Sequence, residues 1–186
     1  MTVRHLICFV VLSLVPMAAA ARSATADLFQ DLAFVRCVDA MITAGTPDAD
    51  GLVERPLTDG DLEAAQQIWS VDDAGLELMR LESGDGSGGC LVGIRNGTLA
   101  ADPELTGNLI KAFVAWGETP EIKQRFGLTN TCAPDGFALF RAYASGRPIH
   151  EDRYLGVLFV IGAEQNFAFL SVNESAAPIA VQDVSC

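Results

Sequence analysis

Histidine is almost missing from this chain: 186 residues contain two, His5 and His150. A zinc centre built on several imidazoles has too few ligands here, and a Ser-His-Asp hydrolase would have to use His150 as its base. Positive charge is scarce as well. Twelve Lys and Arg stand against 24 Asp and Glu, a net charge of −12. So acidic a surface repels phosphate backbones and anionic bilayers, because both require cations that displace counterions, so nucleic acid is not an expected partner. No two cysteines have the two-to-four-residue spacing of a zinc finger, and there is no C-x-x-C redox pair. No apolar stretch reaches the ~20 residues that span a bilayer.

The longest apolar stretch, Leu6 to Val15, follows Arg4, stops at Pro16 and leads into small residues with several A-x-A sites. That is the anatomy of a secretory signal peptide. The expectation is that residues 1–21 are removed, that 22–186 form a single globular domain without a membrane anchor, and that the protein lives in the periplasm or outside the cell. Four cysteines then remain, Cys37, Cys90, Cys132 and Cys186. An even number in an exported chain predicts two disulfides. Three connectivities are possible; the pattern leans to Cys37–Cys90 with Cys132–Cys186, since the first two both fall on apolar faces and the others beside strand ends.

The stretch SGDGSGGC, residues 83–90, contains Gly84-x-Gly86-x-x-Gly89 and most of a GDSGG peptide. A dinucleotide loop needs a helix to follow, whose free N–H groups hold the pyrophosphate. Here Cys90, Val92 and Ile94 alternate with Leu91 and Gly93, the pattern of a strand, so the glycines read as a hairpin turn and no nucleotide cofactor is expected. A phosphate P-loop would need a Lys after its last glycine. The protease reading fails because Gly86 separates Asp85 from Ser87 and because His150 follows the serine in the chain.

The periodicity predicts a helix after Asp27-Leu-Phe-Gln30, a capping-box pattern, with Phe34, Cys37, Val38 and Met41 at i, i+3, i+4 and i+7. A second, shorter helix is predicted from Asp61 to Ser70, after Thr58. The 76–94 region reads as a hairpin. Asp102, Pro103 and Glu104 open the clearest helix, which Gly117 ends. Three strand candidates follow, GFALFRAYAS, RYLGVLFVIG and NFAFLSVNE, with PIAVQDVSC as a possible edge strand. No internal repeat is visible. This order predicts an α+β domain: a single antiparallel sheet of about five strands, two or three helices packed on one face, and two disulfides.

Few residues suggest chemistry. His150 lies in RPIHEDRY beside Glu151 and Asp152, where a base could be oriented, with Ser145 or Ser87 as nucleophile. Asp48, Asp50, Asp59 and Asp61 crowd two loops and are the candidates for calcium, although their spacing is not that of an EF-hand and Asp-Gly pairs are ordinary turn formers. The aromatic residues fall mainly on apolar faces, as core does. The leading expectation is therefore an exported, disulfide-braced binding, accessory or inhibitor-like module without cofactor, whose acidity suits a basic protein or a small ligand. The alternatives are a small hydrolase built on His150 and neighbouring carboxylates, and a carrier of calcium or of a small ligand.

Overall fold

The structure, a computed structural model, describes residues 24–71, 75–94, 98–101, 103–130, 133–149, 152–162, 164 and 167–179. The signal-peptide candidate, Cys132, His150, Glu151 and Cys186 lie outside them. No helix among the described residues is long and apolar enough to cross a membrane.

Helix α1 runs over residues 24–44 and is π-helical across Asp31–Asp39 before a last α turn, Ala40–Ala44. A π turn is wider than an α turn. Buried positions accordingly step by five along Leu32, Cys37 and Ile42, beside Ala33 and Val38. The four-position stripe expected from α spacing holds for Cys37, Val38 and Met41, all fully buried, while Phe34 is half-buried and stacks on Trp116. Gly45 ends the helix in the left-handed region, φ 68°, and donates to the Met41 carbonyl.

Four strands follow: β1 Val53–Arg55, β2 Ala65–Val71, β3 Leu76–Glu82 and β4 Gly88–Ile94. Then come α2 Thr98–Ala101, α3 Pro103–Gly117 and α4 Pro120–Arg125, and a second set of strands, β5 Phe126–Asn130, β6 Phe137–Ser145, β7 Tyr154–Gly162 and β8 Ala168–Ser175. All eight form one antiparallel sheet in the order β1-β2-β3-β4-β8-β7-β6-β5. The expected five strands are thus corrected to eight. The chain is also built twice over on one plan, a helical segment followed by a four-strand meander, and the two meanders meet along β4 and β8. That repeat is topological and leaves no trace in the residues.

Two further expectations are overturned. The segment predicted as a helix from Asp61 to Ser70 becomes the loop after β1 and then β2, because Asp61 is drawn to Arg55 and Ile68 pairs with Met79. Thr58 and Asp61 do bond, but as a turn. The two expected disulfides are corrected to one among the described residues: it is the expected Cys37–Cys90 bridge, Cα atoms 5.8 Å apart, joining α1 to β4, while Cys132 and Cys186 lie outside them. Residues 176–179 have left the sheet, and the rest of the expected edge strand lies outside the described residues.

Register decides which side of each strand meets the helices. Cys90, Val92 and Ile94 of β4, Ala168, Leu170 and Val172 of β8, and Val157, Phe159 and Ile161 of β7 lie in matched rows and are all buried in the main core. Leu105, Leu109 and Phe113 of α3, Leu99 of α2 and Ile122 of α4 pack into the same cluster as α1. The described helices therefore share one side of the sheet.

Candidate functional site

The glycine run forms the β3–β4 turn. Ser83 and Ser87 pair across it, Gly86 adopts φ 78°, which favours glycine, and the Asp85 carboxylate accepts from the Ser87 N–H and hydroxyl at 2.9 and 2.6 Å. Those bonds hold the Asp85 carboxyl below the usual carboxylate range. At Gly89 a side chain would begin 2.6 Å from the Val172 carbonyl oxygen, so the close β4–β8 seam admits no Cβ there.

Gly88 has a different part. On the helix side of the sheet it lies between Glu82 of β3, its register partner, and Glu174 of β8, whose carboxylate accepts from the Gly88 N–H at 3.3 Å. Two strand spacings, roughly 10 Å, separate the two carboxylate-bearing positions. The missing side chain leaves a notch between them, and the Gly45 carbonyl, at the end of α1, stands 3.8 Å from where a Gly88 Cβ would be. The result is an open, polar cleft of about 230 Å³ with Glu82, Glu174 and Arg80 on its walls. Among its lining residues two carboxylates, with the carbonyl end of a 21-residue helix that carries about half a negative charge, stand against one cation, Arg80. Such a cleft attracts a cationic group.

Neither Glu82, Glu174 nor Arg80 stands out in the sequence. Glu82 and Glu174 are brought together only because β8 docks against β4, and the one legible hint is the glycine run that keeps the space between them open.

The other candidate residues are placed as follows. Ser87 is buried and bonded to Asp85. Ser145 is buried, and its hydroxyl oxygen accepts the Leu155 N–H at 2.9 Å. His150 and Glu151 lie outside the described residues, and Asp152 is exposed at φ 64°. Asp48 accepts the Asp50 N–H in the loop after α1, whereas Asp59 and Asp61 sit in the β1–β2 loop. The Asp61 carboxylate meets Arg55 through both oxygens, at 2.6 and 2.9 Å, and also accepts from the Thr58 N–H and hydroxyl; Arg55 Nε donates to Glu77 at 2.8 Å. Among the described residues no three His, Cys, Asp or Glu side chains come together to hold a metal ion.

The Arg55 network makes stability pH-dependent. Arg55 and Thr58 hold the Asp61 carboxyl far below its ordinary range, and Lys123 does the same more mildly for Glu118. A carboxyl depressed in the folded state contributes stability that is complete above its unfolded pKa, about 4, and is lost as pH falls below that toward the folded value. Asp39 acts in the opposite sense, since desolvation first and Glu121 second raise it, and it favours the folded state on protonation. Three depressed groups against one raised group give a melting temperature that falls between pH 4 and pH 2. Thermal melts should show this slope, and Asp61→Asn should flatten it. An unchanged slope in that variant would remove Asp61 as its cause.

No known protein family, curated protein or solved structure matches the chain.

Proposed function

We infer that the chain is an exported binding module that docks a basic partner protein and takes one of its Lys or Arg side chains into the cleft between the β3–β4 turn and the end of α1. The cleft carries the reading: Glu82 and Glu174 flank a glycine notch beside the Gly45 carbonyl at the end of α1, a setting that stabilises an ammonium or guanidinium group. The net charge of −12 supports it, because the same field speeds the approach of a basic protein. Export is supported by the bridge between Cys37 and Cys90, a bond that persists in oxidising compartments, together with the apolar N-terminal stretch.

The test is a titration followed by amide chemical shifts, with Gly-Lys-Gly and Gly-Arg-Gly as probes and Gly-Glu-Gly as control. The cationic peptides should shift the Gly86, Gly88 and Gly89 amides, and added salt or the double variant Glu82→Gln with Glu174→Gln should abolish the shifts. Equal shifts from the acidic control, or none from the cationic peptides, would rule the site out.

A further inference from the structure

The cleft at Gly88 is lined by more than carboxylates. Arg80 stands on the same side of β3 as Glu82, two residues before it, so the two positions lie roughly 7 Å apart along the strand. The row of Arg80 continues through Cys90, which is bridged to α1, and the row of Glu82 continues through Gly88 to the carboxylate of Glu174. Opposite charges are thus ordered along β3, with the glutamates at the turn and the arginine one step further into the sheet.

Arg80 also differs from the cations that brace the fold. Arg36, Arg55, Lys123 and Arg125 each meet a carboxylate. Arg80 is exposed, and among the described residues it has no ion pair or hydrogen bond, although two carboxylates line the same cleft. Its guanidinium keeps five donors in a planar fork, the shape that takes a carboxylate through two parallel bonds.

We propose that the cleft reads a Lys or Arg at the C-terminal end of a polypeptide, with the side-chain cation at the notch between Glu82 and Glu174 and the terminal carboxylate on Arg80. The inference rests on the cationic reading of the cleft and adds the position in the partner's chain that fits it. An internal Lys or Arg brings positive charge alone, which the two glutamates and the Gly45 carbonyl attract and Arg80 repels. A basic residue that ends its chain satisfies both ends of the cleft, because it carries the anion as well. The lengths agree: the four-carbon stem of a lysine, at ~1.5 Å per bond, covers about the distance from the Arg80 position to that of Glu82. A terminal amide in place of the carboxylate would lose the charge and turn N–H groups toward the donors of Arg80.

Titration of the purified protein with acetyl-Gly-Lys ending in a free carboxylate, and with its carboxamide, followed at the Gly86, Gly88 and Gly89 amides, tests the proposal. The acid-ended peptide should bind about tenfold more tightly, the scale of one hydrogen bond to a charged group. Arg80→Gln should abolish that preference by weakening the acid-ended peptide while the carboxamide binds at least as well as before, a pattern that an unfolded variant cannot give. Free lysine, whose α-ammonium would stand against Arg80, should bind several-fold more weakly than the acid-ended peptide. Equal binding by free lysine would assign the cleft to the amino acid itself and overturn the chain-end proposal. Equal affinity for the two peptides, or a preference that survives Arg80→Gln, overturns it too and leaves the cationic reading standing. If neither peptide shifts the glycine amides, the cationic reading fails and this inference falls with it.

Discussion

Replacing Cys37 and Cys90 together by alanine should lower the free energy of unfolding by about 4 kcal/mol. The bridge joins residues 53 apart, and closing a loop of that length in the unfolded chain costs about 4 kcal/mol in the chain-entropy treatment. Domains of this size have about 5–15 kcal/mol in all, so the variant would be marginal. The bond ties α1 to β4, beside the central seam. Both cysteines are fully buried, so a reductant can reach them only when the structure opens. Urea unfolding followed with and without dithiothreitol checks this: the oxidised chain should keep its bridge below the transition, and the reduced chain and the double variant should unfold at the same, much lower midpoint. Coincident midpoints for oxidised and reduced protein would show that the bridge does not hold the fold.

The second large effect is expected at Phe113 of α3, where Phe113→Ala should cost about 3–5 kcal/mol, the range for truncating a buried ring. Phe113 is 1 % exposed and touches four other rings: Phe159 at 4.3 Å, Trp116 at 5.3 Å, Tyr143 at 5.7 Å and Phe34 at 6.3 Å between centroids. It is therefore the point where α1, α3, β6 and β7 meet, and alanine would leave a void walled by aromatic faces that cannot close without moving two helices. Phe113→Leu, which keeps much of the volume, should lose less. Urea midpoints and the near-ultraviolet circular dichroism of the aromatic cluster provide the measurement. A loss below about 1 kcal/mol, within the range of ordinary surface substitutions, would mean that the helices are held elsewhere.

How much could be read in advance varies from residue to residue. The helix ending at Gly117 and the β3–β4 hairpin were legible, because Pro103, the Leu105, Leu109 and Phe113 stripe, and the Cys90, Val92 and Ile94 alternation are local signals. The strand at Ala65–Val71 was not, since Thr58 and Asp61 look like a helix start until Arg55, on the neighbouring strand, takes up the carboxylate. Strand β5 was hidden for a similar reason: FGLTN is too short to show a period, and it becomes a strand by pairing with β6. The cleft was the least legible part, as Glu82 and Glu174 lie 92 positions apart and acquire meaning only across the β4–β8 seam.

Composition and short-range pattern alone establish an acidic, histidine-poor chain with an apolar N-terminal stretch, cysteines in even number beyond it, one strong amphipathic helix and a glycine turn that leads into a strand. Those properties depend on residues within a few positions of one another. The docking of two meanders into one eight-stranded sheet, the bridge from α1 to β4 and the carboxylate-flanked notch at Gly88 were decided by tertiary structure. Each of them depends on which strand lies beside which, and a one-residue change of register would turn every one of those side chains to the other side of the sheet.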